Sequence, residues 1–478
     1  MVDPGEKIKS YISGLFGEKN LLGFIDFINL GPYQYLRVNS LKTTPAAISK
    51  KLFEKYGIET KEIPEIPFAL KVSKDEGTAG KTIEHILGLY YIQGLSSMLP
   101  ALVLSPGEND LVLDLCAAPG SKTTQLAELM KNKGTLAANE IQLSRLKALV
   151  HNIERMNIVN AGILHHRGEL LSRTYENYFD KILVDAPCSG LGIIQKKEEV
   201  IKWWNEKKVQ GLAELQFKLL IAAIKMLKVG GEVVYSTCTL TTEENELIIN
   251  KVLSKYRVEL MSIELPVANH AGLTSMSGEK LNPDLEKGKR IFPWETGTDG
   301  FFIAKLRKTD ETKSPEKFSY TKREVKLITF NHKNLFRRLK SLADHFNIND
   351  ELFSRYKYII KGIDIYFVSV DWNDINPGIF ERIGLKLGTI DKNDEIVLSS
   401  EAVQLFGNEI KNKIINLQSS EELKTYMEGG IIKTDKYNHG QYVIKYDDYI
   451  LGTAVVTQSG IKSRFPRSKR TQEIYTDF

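Results

Sequence analysis

Cysteine is scarce in this chain of 478 residues, which contains only Cys116, Cys188 and Cys238. Three cysteines cannot build a disulfide framework, and no Cys-x-x-Cys pair suggests a zinc site. No apolar run reaches the roughly 18–20 residues that a membrane-spanning helix needs. Residues 1–10 are polar and charged, unlike a secretory signal. We therefore expect a cytoplasmic protein with no metal site and no membrane segment.

A strong charge of either sign is also missing. The formal net charge is +5 and the isoelectric point is about 8.7. This balance permits an RNA partner, but it fits a lysine-rich soluble enzyme equally well. The apolar content of 42% and charged content of 26% are those of ordinary globular proteins. The length exceeds what one hydrophobic core organises, so two or three domains are expected.

Strands and helices alternate along residues 110–306. Short apolar runs bounded by turn residues are typical of buried parallel strands, and helical patterns separate them. The predicted strands are residues 111–115, 136–140, 163–164, 181–185 and 232–236, with 301–304 closing the stretch. The alternation predicts an α/β, doubly wound Rossmann-like sheet, in which ligands bind at the carboxyl ends of the strands.

The flanking parts of the chain have a different pattern. Residues 1–106 are predicted to form a small N-terminal α+β region, followed by the α/β domain at 107–308. Residues 309–317 are charged and lack apolar periodicity, as a linker does. Residues 318–478 are predicted to form a C-terminal α+β region that ends in a basic tail.

A nucleoside-type cofactor site is predicted after the first strand. Small residues lead to Gly120 and then to a helix, so the backbone can approach a cofactor closely. The P-loop and Gly-x-Gly-x-x-Gly spacings are absent, which favours a cofactor without a pyrophosphate. Glu140 ends the second strand, where an acidic residue typically binds ribose hydroxyls; the alternative is a solvated surface carboxylate.

Two thiols and a carboxylate are predicted at the same edge of the sheet. Asp185 and Cys188 follow the fourth strand and Cys238 follows the fifth. A thiolate that adds to C6 of cytosine makes the weakly nucleophilic C5 reactive toward an electrophilic methyl group. A carboxyl group near N3 could assist, and a second thiol could help remove the C5 proton. The alternatives are buried apolar cysteines and a strand-end cap at Asp185.

Several segments together resemble the Nop/Sun family of RNA cytosine-C5 methyltransferases, over roughly residues 30–306. The similar segments are Asp114–Thr123 (DLCAAPGSKT), Asp185–Gly190 (DAPCSG), Tyr235–Thr239 (YSTCT), Glu243–Asn245, Leu36–Lys42 (LRVNSLK), Arg290–Pro293 and Thr298–Phe302. The resemblance implies S-adenosyl-L-methionine as the cofactor and Cys238 as the nucleophile, with Cys188 aiding product release. From the residues alone the choice between the two thiols stays open, because DNA cytosine methyltransferases use the Pro-Cys cysteine.

The resemblance also implies contacts with the cofactor or the base. The implied residues are Cys116, Ala117, Ala118, Pro119, Gly120, Ser121, Lys122, Glu140 and Asp185. One departure is Arg167, which stands where the family usually has an acidic residue that contacts adenine. Glu169 could replace that contact, or backbone groups could hold the adenine. His165 and His166 are expected to be surface or packing residues rather than metal ligands.

The C-terminal region resembles the RsmF branch of the family, which methylates small-subunit ribosomal RNA and carries a PUA-like module. The similar pieces are Gly384–Gly388, Leu451–Gly452 and Gly460–Arg467. A basic tail that contains an aromatic residue suits RNA contact and stacking, although a solvated tail is the alternative. The expected RNA contacts are Arg37, Asn39, Lys42, Lys462, Arg464 and Arg467.

The leading hypothesis is therefore methylation of cytosine C5 in ribosomal RNA, either naked or within a ribosomal subunit, by a monomer. Transfer RNA is the main rival substrate. A non-catalytic RNA-binding factor in ribosome assembly would have lost one of the two thiols, and both are present. Methylation of DNA lacks support from the regions that flank the α/β domain.

Overall fold

The computed structural model describes residues 2–75, 77–276, 278–312 and 323–470. The N-terminal part combines helices with short strands, as expected for an α+β region. Its elements are α1 (Glu6–Phe16), α2 (Glu18–Asn29), β1 (Tyr35–Val38), α3 (Pro45–Tyr56), β2 (Glu59–Glu62), β3 (Ala69–Lys74), α4 (Ile83–Ile86), β4 (Tyr90–Ile92) and α5 (Leu95–Leu104). The strands form an antiparallel sheet in the order β2-β3-β1-β4.

The two faces of this sheet belong to different cores. Leu36 and Leu70 pack with Leu52 of α3 in a core of the N-terminal part itself. Tyr35 and Ala69, which point to the other side, join the core beneath the central sheet. Because side chains alternate between the two faces along β1 and β3, one face forms the local core and the other packs the N-terminal part onto the rest of the molecule.

The central part is built from alternating strands and helices. Its elements are β5 (Leu111–Asp114), α6 (Ser121–Leu129), β6 (Thr135–Asn139), α7 (Leu143–Arg155), β7 (Ala161–Leu164), β8 (Phe179–Asp185), α8 (Glu199–Trp203), α9 (Glu206–Met226), β9 (Leu227–Thr237), α10 (Glu246–Leu253), β10 (Val258–Met261), β11 (His270–Ala271), β12 (Ser275–Met276), β13 (Glu279–Lys280), β14 (Lys289–Ile291), α11 (Pro293–Thr296) and β15 (Phe301–Lys308).

Five of these strands, in the order β9-β8-β5-β6-β7, are parallel to one another. Alternate residues of β5 face opposite layers: Val112 packs with α5, α6 and α7, whereas Leu113 packs with α9 and α10. Helices therefore cover both faces, and the prediction of a doubly wound sheet is confirmed.

The C-terminal part forms two further sheets. Its elements are β16 (Ile328–Thr329), α12 (Lys333–Phe346), α13 (Glu351–Ser354), β17 (Tyr356–Lys361), β18 (Asp364–Ser369), β19 (Arg382–Ile383), β20 (Leu385–Ile390), β21 (Ile396–Leu398), α14 (Ser400–Phe406), β22 (Ile414–Asn416), α15 (Ser420–Met427), β23 (Ile431–Ile432), β24 (Gly440–Tyr446), β25 (Tyr449–Thr457) and β26 (Gly460–Ser463). One sheet has the order β16-β17-β18-β20-β21 and the other β22-β24-β25-β26-β23.

The C-terminal part also contributes to the central sheet. Its strand β19 pairs antiparallel with β7, and β15, β14, β11 and β10 extend the opposite side, which completes a ten-stranded mixed sheet. The expected boundary at residue 318 therefore does not separate two independent sheets. Of the expected linker at 309–317, residues 309–312 are described and the remainder lies outside the described residues.

Polar contacts fix the C-terminal part to both the N-terminal part and the central part. The buried carboxylate of Glu84 accepts hydrogen bonds from Tyr56, at 2.9 Å, and from Tyr449 of β25. Arg382 donates to Glu154 of α7 at 2.6 Å. Within the described ranges, no helix is long and apolar enough to cross a bilayer.

Candidate active site

The loop after β5 brings the backbone to the edge of the sheet. Gly120 has φ +110°, a conformation that glycine tolerates, and it precedes the first residue of α6. A Cβ atom at Gly120 would lie 3.1 Å from Leu149 Cδ1, so α6 and α7 pack closely there. Thr123 of α6 donates a hydrogen bond to Asp114 at 2.7 Å, which holds the helix start against the strand end.

A cavity of about 570 Å³ opens at the carboxyl ends of the parallel strands. Of the predicted cofactor residues, Cys116, Ala118, Glu140 and Asp185 line it, together with Glu169, Cys188 and Cys238. The other predicted residues form the loop after β5 and the start of α6 and do not line the cavity; they are Ala117, Pro119, Gly120, Ser121 and Lys122. The carboxylate of Glu140 is buried and accepts a hydrogen bond from the backbone amide of Gln142 at 2.7 Å.

Asp185 is held in place from two sides. Its Oδ2 accepts a hydrogen bond from Lys122 Nζ at 2.8 Å, and its Oδ1 accepts one from Ser236 at 2.8 Å. Lys122 is buried and also donates to Ser97 at 2.8 Å. The Asp185 carboxylate thus lies at a fixed position on the cavity wall, and Lys122 acts through it rather than on the cavity directly.

The two predicted catalytic thiols lie side by side. Cys188 Sγ is 3.1 Å from Cys238 Sγ, and both cysteines are partly exposed. The loops that carry them are joined by a hydrogen bond from the Gly192 amide to the Cys238 carbonyl oxygen at 3.0 Å. Strand ends that are neighbours in the sheet therefore place both thiols at one point of the cavity.

Glu244, which lies in the segment Glu243–Asn245 that resembles the family, fixes the Cys188 loop. Its buried carboxylate accepts hydrogen bonds from the Ser189 amide at 2.8 Å, Gln216 at 2.9 Å and Thr241 at 2.6 Å, as well as from the Ser189 hydroxyl. The next residue, Asn245, donates to the Thr239 carbonyl oxygen at 3.1 Å. Acidic and amide residues just after a Thr-Cys pair were the available signal for this role.

Burial and neighbouring charges alter the acidity of several groups. The hydrogen bond to Cys238, followed by burial, raises the pKa of Cys188 well above its usual value. Burial, together with the nearby carboxylates, raises the pKa of Cys116, so this thiol remains protonated. Burial raises the pKa of Asp114 to about 7. Cys116 is therefore a wall residue rather than a nucleophile.

The structure gives three expected RNA contacts a different role. Arg37 is buried and pairs with Glu128 of α6 at 2.9 Å. Asn39 is buried and donates to the carbonyl oxygens of Gly88 and Met156, and Lys42 Nζ donates to those of Leu87 and Arg155. These side chains attach the N-terminal part to the central domain, which corrects the expectation that they form an RNA surface.

The expected basic residues of the C-terminal tail are exposed. Lys462 and Arg464 alternate along β26 and its continuation with the buried residues Ser463 and Phe465. Arg467 is exposed as well. Phe465 packs against Tyr426 in the core, so this ring is not available for base stacking, contrary to the sequence-based expectation.

The residues that follow β7 clarify the departure at Arg167. The Arg167 side chain is 65% exposed and donates to Glu169 at 2.8 Å, whereas the Glu169 side chain is 13% exposed and lines the cavity. His165 and His166 hydrogen-bond to the carbonyl oxygens of Ile141 and Ile379. Among the residues that the structure describes, no cluster of three or more His, Cys, Asp or Glu residues could hold a metal ion.

Known proteins are similar to this chain in sequence and architecture. Residues 101–307 match the family described as 16S rRNA methyltransferase RsmB/F. Ribosomal RNA small subunit methyltransferase F of Vibrio vulnificus is 32% identical over 480 residues, which cover 97% of this chain and 96% of that protein. A tRNA (cytosine(49)-C(5))-methyltransferase of Pyrococcus abyssi is 38% identical over 281 residues, which cover 57% of this chain and 87% of that protein.

Other relatives match only part of the chain. A 28S rRNA (cytosine-C(5))-methyltransferase of Mus musculus is 36% identical over 309 residues, and the match spans 64% of this chain and 39% of that protein. A solved methyltransferase homologue from Pyrococcus horikoshii is 33% identical, with a TM-score of 0.55, over 61% of this chain and 92% of that structure. Similarity along nearly the whole length, added to the paired thiols on a methyltransferase sheet, shows that this chain belongs to the RsmB/F-type family of RNA cytosine-C5 methyltransferases.

Proposed function

We propose that the protein transfers a methyl group from S-adenosyl-L-methionine to C5 of cytosine in small-subunit (16S) ribosomal RNA, through a covalent bond between Cys238 and C6. The observation that carries the proposal is the pair of thiols, 3.1 Å apart, on the wall of the cavity at the strand ends. Cysteines kept only as apolar packing residues would not need to meet on a cavity wall.

The residues of the cavity suit an adenosine-containing cofactor without a pyrophosphate. The Glu140 carboxylate lines the cavity at the end of β6, where it can accept hydrogen bonds from ribose hydroxyls. The small residues Cys116 and Ala118 leave room for the cofactor beside the first strand. When bound there, S-adenosyl-L-methionine supplies an electrophilic methyl group. Glu169 is the acidic group that replaces the missing family contact at Arg167.

The chemistry then follows from the positions of three side chains. The Cys238 thiolate attacks C6 of the cytosine, which must be unpaired or flipped out of a helix for the sulfur to reach it. The Asp185 carboxyl group, held by Lys122 and Ser236, faces the ring near N3. After methyl transfer a base takes the C5 proton, the C5–C6 double bond re-forms, and Cys238 leaves C6 as a thiolate; Cys188 supplies or assists this base from 3.1 Å away.

Two observations support ribosomal RNA as the substrate. The match to the Vibrio vulnificus protein covers 97% of this chain and so extends through the C-terminal part, whereas the match to the Pyrococcus abyssi protein covers 57% of the chain. The exposed Lys462, Arg464 and Arg467 lie in that C-terminal part, where a PUA-like module would contact the RNA backbone. We further propose that the enzyme acts as a cytoplasmic monomer, on naked RNA or on a ribosomal subunit.

Transfer RNA is the second candidate substrate, because the relative from Pyrococcus abyssi carries that name. The test is incubation of the protein with labelled S-adenosyl-L-methionine and separated ribosomal and transfer RNA, with Cys238→Ala as the control. Label in 5-methylcytosine of small-subunit RNA that disappears in the control supports the proposal. Label confined to transfer RNA keeps the chemistry and rejects the substrate. Binding of RNA without transfer to naked RNA or subunits would indicate a non-catalytic assembly factor.

A further inference from the structure

One face of the N-terminal sheet passes from the interior to the surface. Register aligns Tyr35 of β1 with Lys71 of β3 and Lys71 with Lys61 of β2, so these residues form a row across the sheet. At the inner end of this face, Arg37 is buried against the central domain. At the outer end, Lys61 is exposed. Tyr33, which lies just before β1 in the chain, is 46% exposed.

The outer end of this face carries positive charge beside an exposed ring. Lys71 Nζ lies 3.7 Å from the centre of the Tyr33 ring. Lys61 and Lys71 are cross-strand neighbours, an arrangement in which like charges repel each other. Over the described part of the chain, neither lysine forms an ion pair with a carboxylate. Glu62 pairs in register with Leu70 and therefore points to the opposite face.

The segment formed by residues 297–299 lies between this surface and a lysine next to the active-site cavity. Gly297 packs so closely on Tyr33 that a Cβ atom there would lie 2.7 Å from the ring. Two residues further along the chain, Asp299 forms an ion pair with Lys196 at 2.8 Å. Lys196 is exposed, and its neighbour Lys197 lines the cavity that contains both thiols. Tyr33 and Lys196 therefore contact the same short segment, Tyr33 from the N-terminal sheet and Lys196 from beside the cavity.

We propose that Tyr33, Lys61, Lys71 and Lys196 form a docking strip for the single-stranded RNA that flanks the target cytosine. The lysines contact phosphates, and the exposed part of the Tyr33 ring stacks on a neighbouring base. Unpaired strands are bound in this way by basic surfaces that carry exposed aromatic rings. The proposal rests on the proposed function, because it places the target nucleotide in the cavity beside Cys238.

The matched variants are Lys71→Glu and Lys74→Glu, which reverse one charge on the same strand. Lys74 is exposed, pairs in register with Glu59 and lies on the opposite face of β3. The probe is a labelled single-stranded oligoribonucleotide that contains one cytosine, and binding is measured by fluorescence anisotropy at several salt concentrations. Lys71→Glu is expected to weaken binding about 10-fold or more, and Lys71→Ala to lower the salt slope by about 0.7, the value for one lost phosphate contact.

Two further measurements are RNA binding by Tyr33→Ala and the affinity of each variant for S-adenosyl-L-methionine. Tyr33→Ala is expected to weaken binding about 5-fold or more through lost stacking, whereas Lys74→Glu and the affinity for S-adenosyl-L-methionine stay at parental values. Equal affinities of Lys71→Glu and Lys74→Glu, with parental melting temperatures, overturn the docking strip even if the enzyme methylates RNA. Weaker binding by Lys71→Glu in a parent that transfers no methyl group supports the strip and counts against the proposed function alone.

Discussion

Cys188 and Cys238, which are 50 residues apart in the chain, have sulfur atoms 3.1 Å apart. The distance follows from topology, because β8 and β9 are adjacent parallel strands and each cysteine follows the end of its strand. The contact also links the chemistry of the two thiols, since the hydrogen bond to Cys238 raises the pKa of Cys188. The pair is therefore best tested as a unit.

Substitution of each thiol should give a different result. Cys238→Ala should abolish both methyl transfer and the covalent RNA adduct, because no nucleophile remains for C6. Cys188→Ala should form the adduct and fail to release it, so a band of protein bound to RNA accumulates on a denaturing gel. The double variant is the control and should show no adduct. Normal turnover by Cys188→Ala would show that this thiol has no role in release.

Glu244 should act as a positioning residue for the Cys188 loop. A glutamine at this position cannot accept from all the donors that surround the carboxylate, so Glu244→Gln should lower kcat by about 10- to 100-fold, the cost of a charged hydrogen bond. The KM for RNA and the affinity for the cofactor should change little. The matched control is Glu243→Gln, since Glu243 is the adjacent residue but accepts a hydrogen bond from Tyr11 and not from the Cys188 loop. Equal kcat values for the two variants would contradict this role.

Glu169 should contribute to cofactor binding, whereas Arg167 should not. Loss of the carboxylate in Glu169→Ala removes an acceptor from the cavity wall, and the Kd for S-adenosyl-L-methionine should rise about 10-fold or more. Arg167→Ala should leave the Kd within about twofold, because this side chain is 65% exposed and does not line the cavity. Isothermal titration calorimetry measures both values. A larger effect at Arg167 would restore that position as the cofactor contact.

Asp114 should make stability depend on pH. Burial raises its pKa in the folded state to about 7, above the ordinary value of 3.8, so the folded state binds the proton more tightly. This contribution is fully present below the unfolded pKa and is lost as the pH rises through about 7, by at most roughly 1.4 kcal/mol per pH unit. Asp114→Asn should therefore gain melting temperature relative to the parent as the pH rises from about 4 to about 7, and should keep that gain at higher pH. A constant difference between the two proteins would reject the raised pKa.

The strand ends, and the meeting of Cys188 and Cys238 at one edge of the sheet, were predictable from the sequence because short apolar runs reveal buried parallel strands. The roles of Arg37 and Asn39 were not, because their partners Glu128 and Met156 lie 91 and 117 residues away in the chain. The residues next to a basic or polar side chain in a strand do not show whether it forms a buried hydrogen bond or contacts RNA at the surface. The two-residue strand β19 was also beyond prediction, since two residues carry no periodicity.

The pairing of β19 with β7 has a consequence for the handling of this enzyme. Removal of the C-terminal part would leave β7 as an open edge, and Phe380 and Trp372, which cover Gly162, would no longer shield it. Unprotected edges of this kind recruit strands from other molecules. A fragment that ends before β19 should therefore aggregate, because the C-terminal part covers the β7 edge of the central sheet.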